Sequence, residues 1–302
     1  MNKLLTIATI LIINYCFSQE SIYFNISIQP SSEYIEKTSI ISNSITETEP
    51  VNPEFNLDQM QIPKIKESNS SISTLAHIRS FERDSLKQQE FPIQIEYIYY
   101  EVDKNSNITP SGTTLHARGV EKGVYQIDSV SGKNLVPIVK NELIKSMDNF
   151  FKQYCLPSGK IMKIGDTYTH EFIYEQNISE LPTTANGKTI YTLTEIRNEK
   201  AYFTFTNQIE FTQKKYTPKD FKDKFDYLDY KSIIDNPNTV FLKNGSSSGI
   251  GSLVYNTLTN TVETQSLTSI VKMTLENQYF RILNKQDIDF QIVRETISTE
   301  KR

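Results

Sequence analysis

The chain has 302 residues, with 36 acidic residues against 32 Lys and Arg and a formal net charge of −4 at pH 7. This balance argues against nucleic acid and anionic membrane surfaces as partners, because phosphate binding requires concentrated Lys and Arg. The 17 Tyr and 16 Phe, together with plentiful Ile, Thr and Ser, favour strands over helices.

Residues 1–18 predict a secretory signal peptide. A short positive start at Lys3 precedes an apolar run over 4–13, and cleavage after Ser18 follows from the small side chains before it. The apolar run is shorter than the ~20 residues of a membrane-spanning helix. We therefore expect a mature chain that has no transmembrane segment and is exported to the periplasm or cell envelope.

The first of the two cysteines leaves an alternative open. Cys16 could carry lipid in a lipoprotein signal, although Tyr15 is a poor residue before an acylated cysteine, and simple cleavage is the favoured reading. In both cases Cys155 is the one cysteine of the folded chain, so no internal disulfide is expected.

Residues 19–140 predict an N-terminal β-rich half that begins with alternating strands. Within it, 49–70 is rich in Pro, Asn, Ser and Glu and predicts an exposed insertion. Apolar residues recur at three-residue spacing in 71–90, which favours a helix, with a strand as the alternative. The apolar residues of this block are Ile72, Leu75, Ile78 and Phe81.

The segment 141–164 predicts a helix followed by a connector. An apolar stripe along 141–154 is typical of an amphipathic helix, and Pro157 ends it. A helix with such a stripe must bury it, so we expect this one to cover a sheet.

Residues 165–302 predict a second β-rich half, similar in plan to the first. We expect a loop at 181–187, tight hairpins around 197–200 and around Asn277, and a helical insertion at 216–234. The fold class is therefore mainly β (α+β), with long curved antiparallel sheets, either as two similar halves or as one unit.

Gly245-Ser-Ser-Ser-Gly249 matches the spacing of a nucleophile elbow. That motif requires a helix directly after the serine and a histidine later in the chain, whereas 250–256 alternates like a strand and the last histidine is His170. We interpret the segment as a flexible turn between strands.

Metal and catalytic patterns are absent from the sequence. The histidines, His77, His116 and His170, lack ligand spacing, and the Asp series at 220, 223, 226 and 229 alternates with Lys like a solvated helix face. We predict no catalytic residue, no metal site and no cofactor.

Short motifs resemble an uncharacterised family of exported bacterial β-rich proteins, a domain of unknown function. They are Leu156-Pro157, Ile164-Gly165-Asp166-Thr167-Tyr168, the strand 189–193 and the strand 249–253. Tyr168 stands where the family usually has Trp, and the segments 49–90 and 213–238 fit poorly. The resemblance implies a curved antiparallel sheet with a covering helix, loosely similar to periplasmic lipoprotein carriers, and assigns no activity.

Three functions are carried forward from the sequence. The first is a non-enzymatic envelope protein that binds an apolar ligand or lipid in a groove of the sheet. The second is a structural or protein–protein interaction module of the envelope, using strand edges and the insertion 216–234. The third is a hydrolase without a recognisable motif.

Overall fold

Eleven antiparallel strands form one continuous sheet in the computed structural model, in the order β6-β5-β4-β3-β2-β13-β12-β11-β10-β9-β8. The structure describes residues 21–24, 31–82, 90–102, 108–120, 125–132, 140–141, 144–145, 160–179, 181–220 and 224–297. The predicted signal peptide, Cys16 and Cys155 lie outside these residues.

The strands are long for a globular protein, several of them reaching 16 to 18 residues. Their bounds are β1 Ser21–Phe24, β2 Glu33–Pro50, β3 Ile65–Ser80, β4 Glu90–Val102, β5 Ile108–Val120, β6 Tyr125–Gly132, β7 Lys160–Lys163, β8 Thr167–Ile178, β9 Leu181–Arg197, β10 Lys200–Gln213, β11 Phe241–Asn256, β12 Thr261–Glu276 and β13 Phe280–Ile297. A 3₁₀ turn at Pro218–Asp220 precedes helix α1, Lys224–Ile234. Strands β1 and β7 pair separately as a small second sheet.

Strand alternation gives most of the large sheet a buried face and an exposed face, which we call the inner face and the outer face. On β3 both faces are exposed over residues 65–73. Three apolar clusters occupy the inner face. The first surrounds Tyr191 and Phe203 and includes Ile22 and Met162 of the small sheet. The second surrounds Tyr34 and Ile93, and the third runs from Phe172 to Val271.

Glycines lie on the inner face opposite large side chains. A Cβ placed on Gly251 would lie 2.3 Å from the ring of Phe205 and 2.3 Å from the backbone oxygen of Ser266, and one on Gly187 would lie 2.3 Å from the ring of Phe172. At Gly251 a side chain would overlap the backbone of β12, whereas at Gly187 it would require the Phe172 ring to move.

A tight turn joins the small sheet to β8 and explains the Gly-Asp-Thr-Tyr motif. Gly165 has a φ of 92°, a conformation that favours glycine. The backbone N–H of Asp166 donates to the Lys163 carbonyl at 2.9 Å, and the Asp166 carboxylate accepts from the Lys163 N–H at 2.8 Å. Leu193 of β9 exchanges two backbone hydrogen bonds with this turn, at 2.7 and 3.0 Å.

Three sequence-based predictions were wrong in the same direction, because each missed a strand. The predicted helix at 71–90 is strand through Ser80, the predicted loop at 181–187 opens β9, and the predicted turn at 245–249 lies inside β11. Pairing with neighbours on both sides supplies the stabilisation that local propensity lacks in these Gly-, Ser- and Thr-rich stretches.

Two hairpins are confirmed. Strands β9 and β10 turn at Asn198 and Glu199, both with positive φ, and β12 and β13 turn at Asn277, whose N–H donates to the Phe280 carbonyl at 3.0 Å. The mainly β, long-stranded antiparallel class is also confirmed.

Of the predicted helix 141–154, the described residues Asn141, Ile144 and Lys145 are helical, and Ile144 packs against the cluster around Tyr34. The rest of that helix lies outside the described residues. Within the predicted insertion 49–70, β2 continues to Pro50 and β3 begins at Ile65, and Phe55 of the intervening loop stacks on Tyr279 at 5.4 Å.

Candidate binding face

The outer face of eight neighbouring strands, β8 to β12, β13, β2 and β3, forms a regular grid of exposed side chains. Strand register aligns four rows across these strands. In the order β8, β9, β10, β11, β12, β13, β2, β3, row 1 is Thr167, Thr192, Thr204, Ser252, Ser266, Gln291, Ser39, Ser73; row 2 is Thr169, Ile190, Thr206, Ile250, Thr268, Asp289, Ile41, Ser71; row 3 is Glu171, Lys188, Gln208, Ser248, Ile270, Asp287, Asn43, Asn69; row 4 is Ile173, Asn186, Glu210, Ser246, Lys272, Lys285, Ile45, Glu67.

Rows 1 and 2 carry hydroxyl and isoleucine side chains, one amide, Gln291, and one charge, Asp289. The hydroxyls pair laterally: the Oγ atoms of Ser252 and Ser266 are 2.9 Å apart, and the Thr268 Oγ1 donates to an Asp289 carboxylate oxygen at 2.8 Å. Such cross-strand pairs of β-branched and hydroxyl residues stabilise a sheet by themselves.

Several isoleucines on the outer face are exposed. Ile250 is 68% exposed and Ile173 67% exposed. Three more exposed isoleucines lie in the same grid, Ile41, Ile45 and Ile270. Exposed apolar side chains on the outer face make it a candidate contact surface.

Three open cavities lie along the outer face. One of about 870 Å³ spans rows 3 and 4 from Glu171 to Ser248, and one of about 650 Å³ spans rows 1 and 2 from Ile190 to Thr268. A third, of about 530 Å³, lies between Ile45 and Lys285. The grid is therefore hollowed between its strands, with hydroxyl groups, amides and isoleucines as its main lining.

Titratable side chains line the largest of these cavities. Glu171, Lys188 and Glu210 come from three adjacent strands, and all three are exposed. No histidine is among the residues that line this cavity. Ser246 lies opposite Glu210 in the register of β10 and β11, so charged and hydroxyl side chains are neighbours in the lining.

A buried ion pair divides two of the inner-face clusters. Arg294 of β13 lies directly opposite Glu36 of β2, and its Nη2 and Nε donate to the Glu36 Oε2 at 2.6 and 3.1 Å. The two side chains are 15% and 9% exposed.

A polar row divides the first cluster, around Tyr191, from the third, which includes Phe172. The Nδ2 of Asn207, itself 3% exposed, donates to the Oγ1 of the fully buried Thr189 at 2.9 Å. Burial also raises the pKa of the nearby Tyr174 to about 12, because removal from water disfavours the phenolate. The Asn207–Thr189 hydrogen bond satisfies both buried side chains within the inner face.

A charged cluster lies at the N-terminal end of β2. The Nε of Arg79 donates to the Glu33 Oε1 at 2.5 Å, and the His77 Nε2 lies 2.9 Å from the same oxygen. The hydrogen bond from Arg79 is the largest cause of a lowered Glu33 pKa, with the charges of Arg79 and His77 acting in the same direction.

The structure separates the residues that the sequence raised as candidates. Ser247, the central residue of the elbow-like segment, is buried on the inner face in mid-strand. The three histidines belong to β3, β5 and β8, and His170 stacks on Phe172 at 5.7 Å.

Of the Asp series, Asp220 accepts from the Thr217 N–H and Oγ1 at 2.6 and 2.7 Å, while 223 and the side chains at 226 and 229 lie outside the described part. Among the described residues, no group of three or more His, Cys, Asp or Glu could hold a metal ion.

Sequence reasoning missed the outer face as a site. Its signal was present: positions 188, 190, 192 and 204, 206, 208 alternate hydroxyl, amide, isoleucine and lysine side chains with a buried set. Which alternate positions share a row depends on strand register over more than 200 residues, and the local pattern does not specify it.

Comparisons with known proteins leave the fold without an informative relative. No family model matches the sequence, and no curated protein matches it. The outer membrane protein OprG from Pseudomonas aeruginosa is similar at a TM-score of 0.21, with 7% identity over 91% of this chain and 99% of that chain. Ail, the attachment invasion locus protein of Yersinia pestis, is similar at a TM-score of 0.14, with 5% identity over 86% of this chain and 98% of that chain.

Both TM-scores are too low to support an argument about fold or function. In the described part of the chain, no helix has the length and apolar character needed to cross a membrane.

Proposed function

We propose that this chain is an exported, non-enzymatic protein of the cell envelope that acts as a structural or protein–protein interaction module through its outer face. The observation that carries the proposal is the grid of hydroxyl side chains and exposed isoleucines, where Ile250 and Ile173 each have about two thirds of their surface in water. Export rests on two sequence-based predictions, the signal peptide at 1–18 and the resemblance to exported β-rich proteins.

An apolar-ligand groove is less well supported by the same structure. The inner-face side chains that would line it contact one another, and residues such as Tyr191, Leu193 and Phe203 are at most 1% exposed. The described cavities on the outer face have mixed polar and apolar linings, which suits a protein surface better than a lipid.

A site-specific crosslink tests the interaction module. A photoreactive amino acid at position 252, in the centre of row 1, is expected to give a discrete crosslinked species in cells that export the protein. The same group at position 199, in the exposed turn between β9 and β10, is the control and should give none.

Adding Thr204→Lys and Thr206→Lys to the position-252 protein should abolish the crosslink, because two ammonium groups enter an uncharged part of the face. A crosslink that persists in this variant, or the absence of any crosslink at position 252, would refute the proposed role of the outer face.

A further inference from the structure

We propose that the open edge of β8 binds an extended segment of a partner protein, which adds to the large sheet as a further antiparallel strand. The segment alternates apolar residues with threonine and lysine or arginine. Among the described strands β8 ends the sheet, because it pairs with β9 on one side and with no described strand on the other. This inference goes beyond the proposed function, because it concerns a strand edge and not the outer face.

The backbone groups that face the open edge follow from the register. The N–H of Leu193 donates to the Asp166 carbonyl at 3.0 Å, so Leu193 and every second residue before it in β9 direct their hydrogen bonds toward β8. Their opposite residues are the inner-face positions 168, 170, 172, 174 and 176. The outer-face positions of β8 therefore direct their N–H and C=O groups away from the sheet, and they include Thr169, Glu171, Ile173 and Glu175.

This edge lacks the features that commonly prevent strand addition, which are lysine, proline, a bulge or short length. Strand β8 has 12 residues without lysine or proline, and it pairs with β9 over its whole length without a shift of register. The opposite edge of the sheet is protected, because β6 has 8 residues and its register with β5 shifts between His116 and Ala117. Strand β8 is thus the edge that can accept a strand.

The inner face beside this edge favours apolar residues in the added strand. Phe172 and Tyr174 of β8 are each 6% exposed, and both belong to the third apolar cluster. Apolar side chains at alternate positions of a neighbouring strand would extend this cluster by one strand. In complexes of this kind, main-chain hydrogen bonds provide affinity and the alternate side chains provide specificity.

The outer face beside the edge favours threonine and a basic residue. Ile173 is 67% exposed, and a β-branched residue opposite it forms a favourable cross-strand pair. Glu175 is held by Lys214 at 2.7 Å. Glu171 has Lys188 opposite it on β9, and its other side is open to a cation of the added strand.

A nine-residue peptide tests the inference on the mature chain. The peptide acetyl-Thr-Val-Thr-Val-Lys-Val-Thr-Val-Thr-amide places threonine and lysine on the outer face and valine on the inner face. We expect it to bind with a dissociation constant below about 100 μM. Binding should slow hydrogen exchange, measured by NMR, at the outward amides 169, 171, 173 and 175, while the amides already bonded to β9 change little.

Two N-methylated peptides are the matched controls. Directly opposite residues of a hydrogen-bonded antiparallel pair exchange both of their backbone hydrogen bonds, so the threonine and lysine residues of the peptide direct their N–H groups toward β8. Methylation of the lysine nitrogen and the two nearest threonine nitrogens should abolish binding. Methylation of the two central valine nitrogens should change the dissociation constant by about threefold at most.

Two substitutions in β8 make the same comparison on the protein. Ile173→Pro removes an outward N–H without removing a hydrogen bond to β9, and it should weaken peptide binding about tenfold or more. Ile173→Ala keeps that N–H and should weaken binding much less. Thermal unfolding verifies that each variant is folded.

A charge exchange tests the basic residue of the ligand. A peptide with glutamate in place of lysine should bind the wild-type chain about fivefold more weakly, because it places a carboxylate beside Glu171. Glu171→Lys in the chain should restore binding of that peptide.

The absence of binding at about 1 mM peptide would overturn the inference, as would equal effects of the two methylations or equal binding by Ile173→Pro and Ile173→Ala. A chain that only aggregates through β8, without binding the peptide, would overturn it as well. The crosslink at position 252 reports on the outer face separately. Peptide binding without that crosslink supports the edge site and removes the proposed outer-face role, and the reverse result does the opposite.

Discussion

Single glycines determine how closely the strands of the inner face approach their neighbours. The ring of Phe205 and the backbone of β12 occupy the space that a side chain at position 251 would need. The Gly-x-Ser-x-Gly spacing at 245–249 has the same origin, since these glycines lie under Phe211 and Leu267. The glycine spacing that resembles a catalytic turn is therefore explained by the close packing of strands.

Gly251→Ala is expected to destabilise the protein by about 1–3 kcal/mol or more, because the new methyl overlaps a backbone oxygen that cannot rotate away. Denaturant unfolding measures the change in the free energy of unfolding. Ser248→Ala, at an exposed position of the same strand, is the matched control and should stay within about 0.5 kcal/mol of wild type. Equal stability of the two variants would contradict the close approach.

The Glu33–Arg79 pair predicts a specific loss of stability in acid. The pKa of Glu33 is lowered from 4.5 in the folded protein, so the ionised carboxyl stabilises the fold at pH values above 4.5. This contribution is lost as the pH falls below 4.5 through the folded-state pKa.

Arg79→Gln should therefore lower Tm at pH 7 and narrow the difference between Tm at pH 7 and at pH 3, whereas Arg79→Lys should recover part of both. A Tm difference that Arg79→Gln leaves unchanged would show that Glu33 does not depend on this partner.

At the scale of elements, the pairing of β2 with β13 is the joint between two groups of strands. Its Glu36–Arg294 pair is nearly buried and lies between two apolar clusters. A buried pair of this kind contributes little net stability, while one partner left alone is costly.

Arg294→Met alone is expected to destabilise the protein by about 3–5 kcal/mol, since Glu36 would remain buried without its partner. The double variant Glu36→Leu/Arg294→Met should recover most of that loss. Chemical denaturation of the single and double variants provides the comparison, and an equally large loss in both would point to packing and not to charge.

The elements that the sequence predicted well are those specified by local chemistry. The β9–β10 and β12–β13 hairpins have polar turns of a few residues between alternating strands, and both patterns are local. The elements that it missed, at 71–80, 181–187 and 245–249, contain Ser, Thr, Gly and Asn, whose strand conformation depends on partners far along the chain. For the same reason the outer face could not be predicted, because its rows are a property of register.

At the scale of the whole molecule, one sheet serves two purposes on its two faces. The inner face holds three apolar clusters divided by a polar row and an ion pair. The outer face displays hydroxyls and isoleucines in register over eight strands.

The order of the strands also constrains how the chain can fold. Strand β2 pairs with β13, so Thr46 meets Asn284 and Glu36 meets Arg294 across 238 and 258 positions of sequence. Contacts at such separation form slowly, since a long loop must close before they are made. Strand β2 is therefore synthesised long before β13, the strand with which it pairs.

Polar side chains line the joint between β2 and β13. Ser42, Thr46 and Glu36 on β2, and Gln286, Asn284 and Arg294 on β13, pair with one another along the joint. These contacts form only when β13 lies beside β2 in the observed register. The polar joint therefore favours that register over a shifted one.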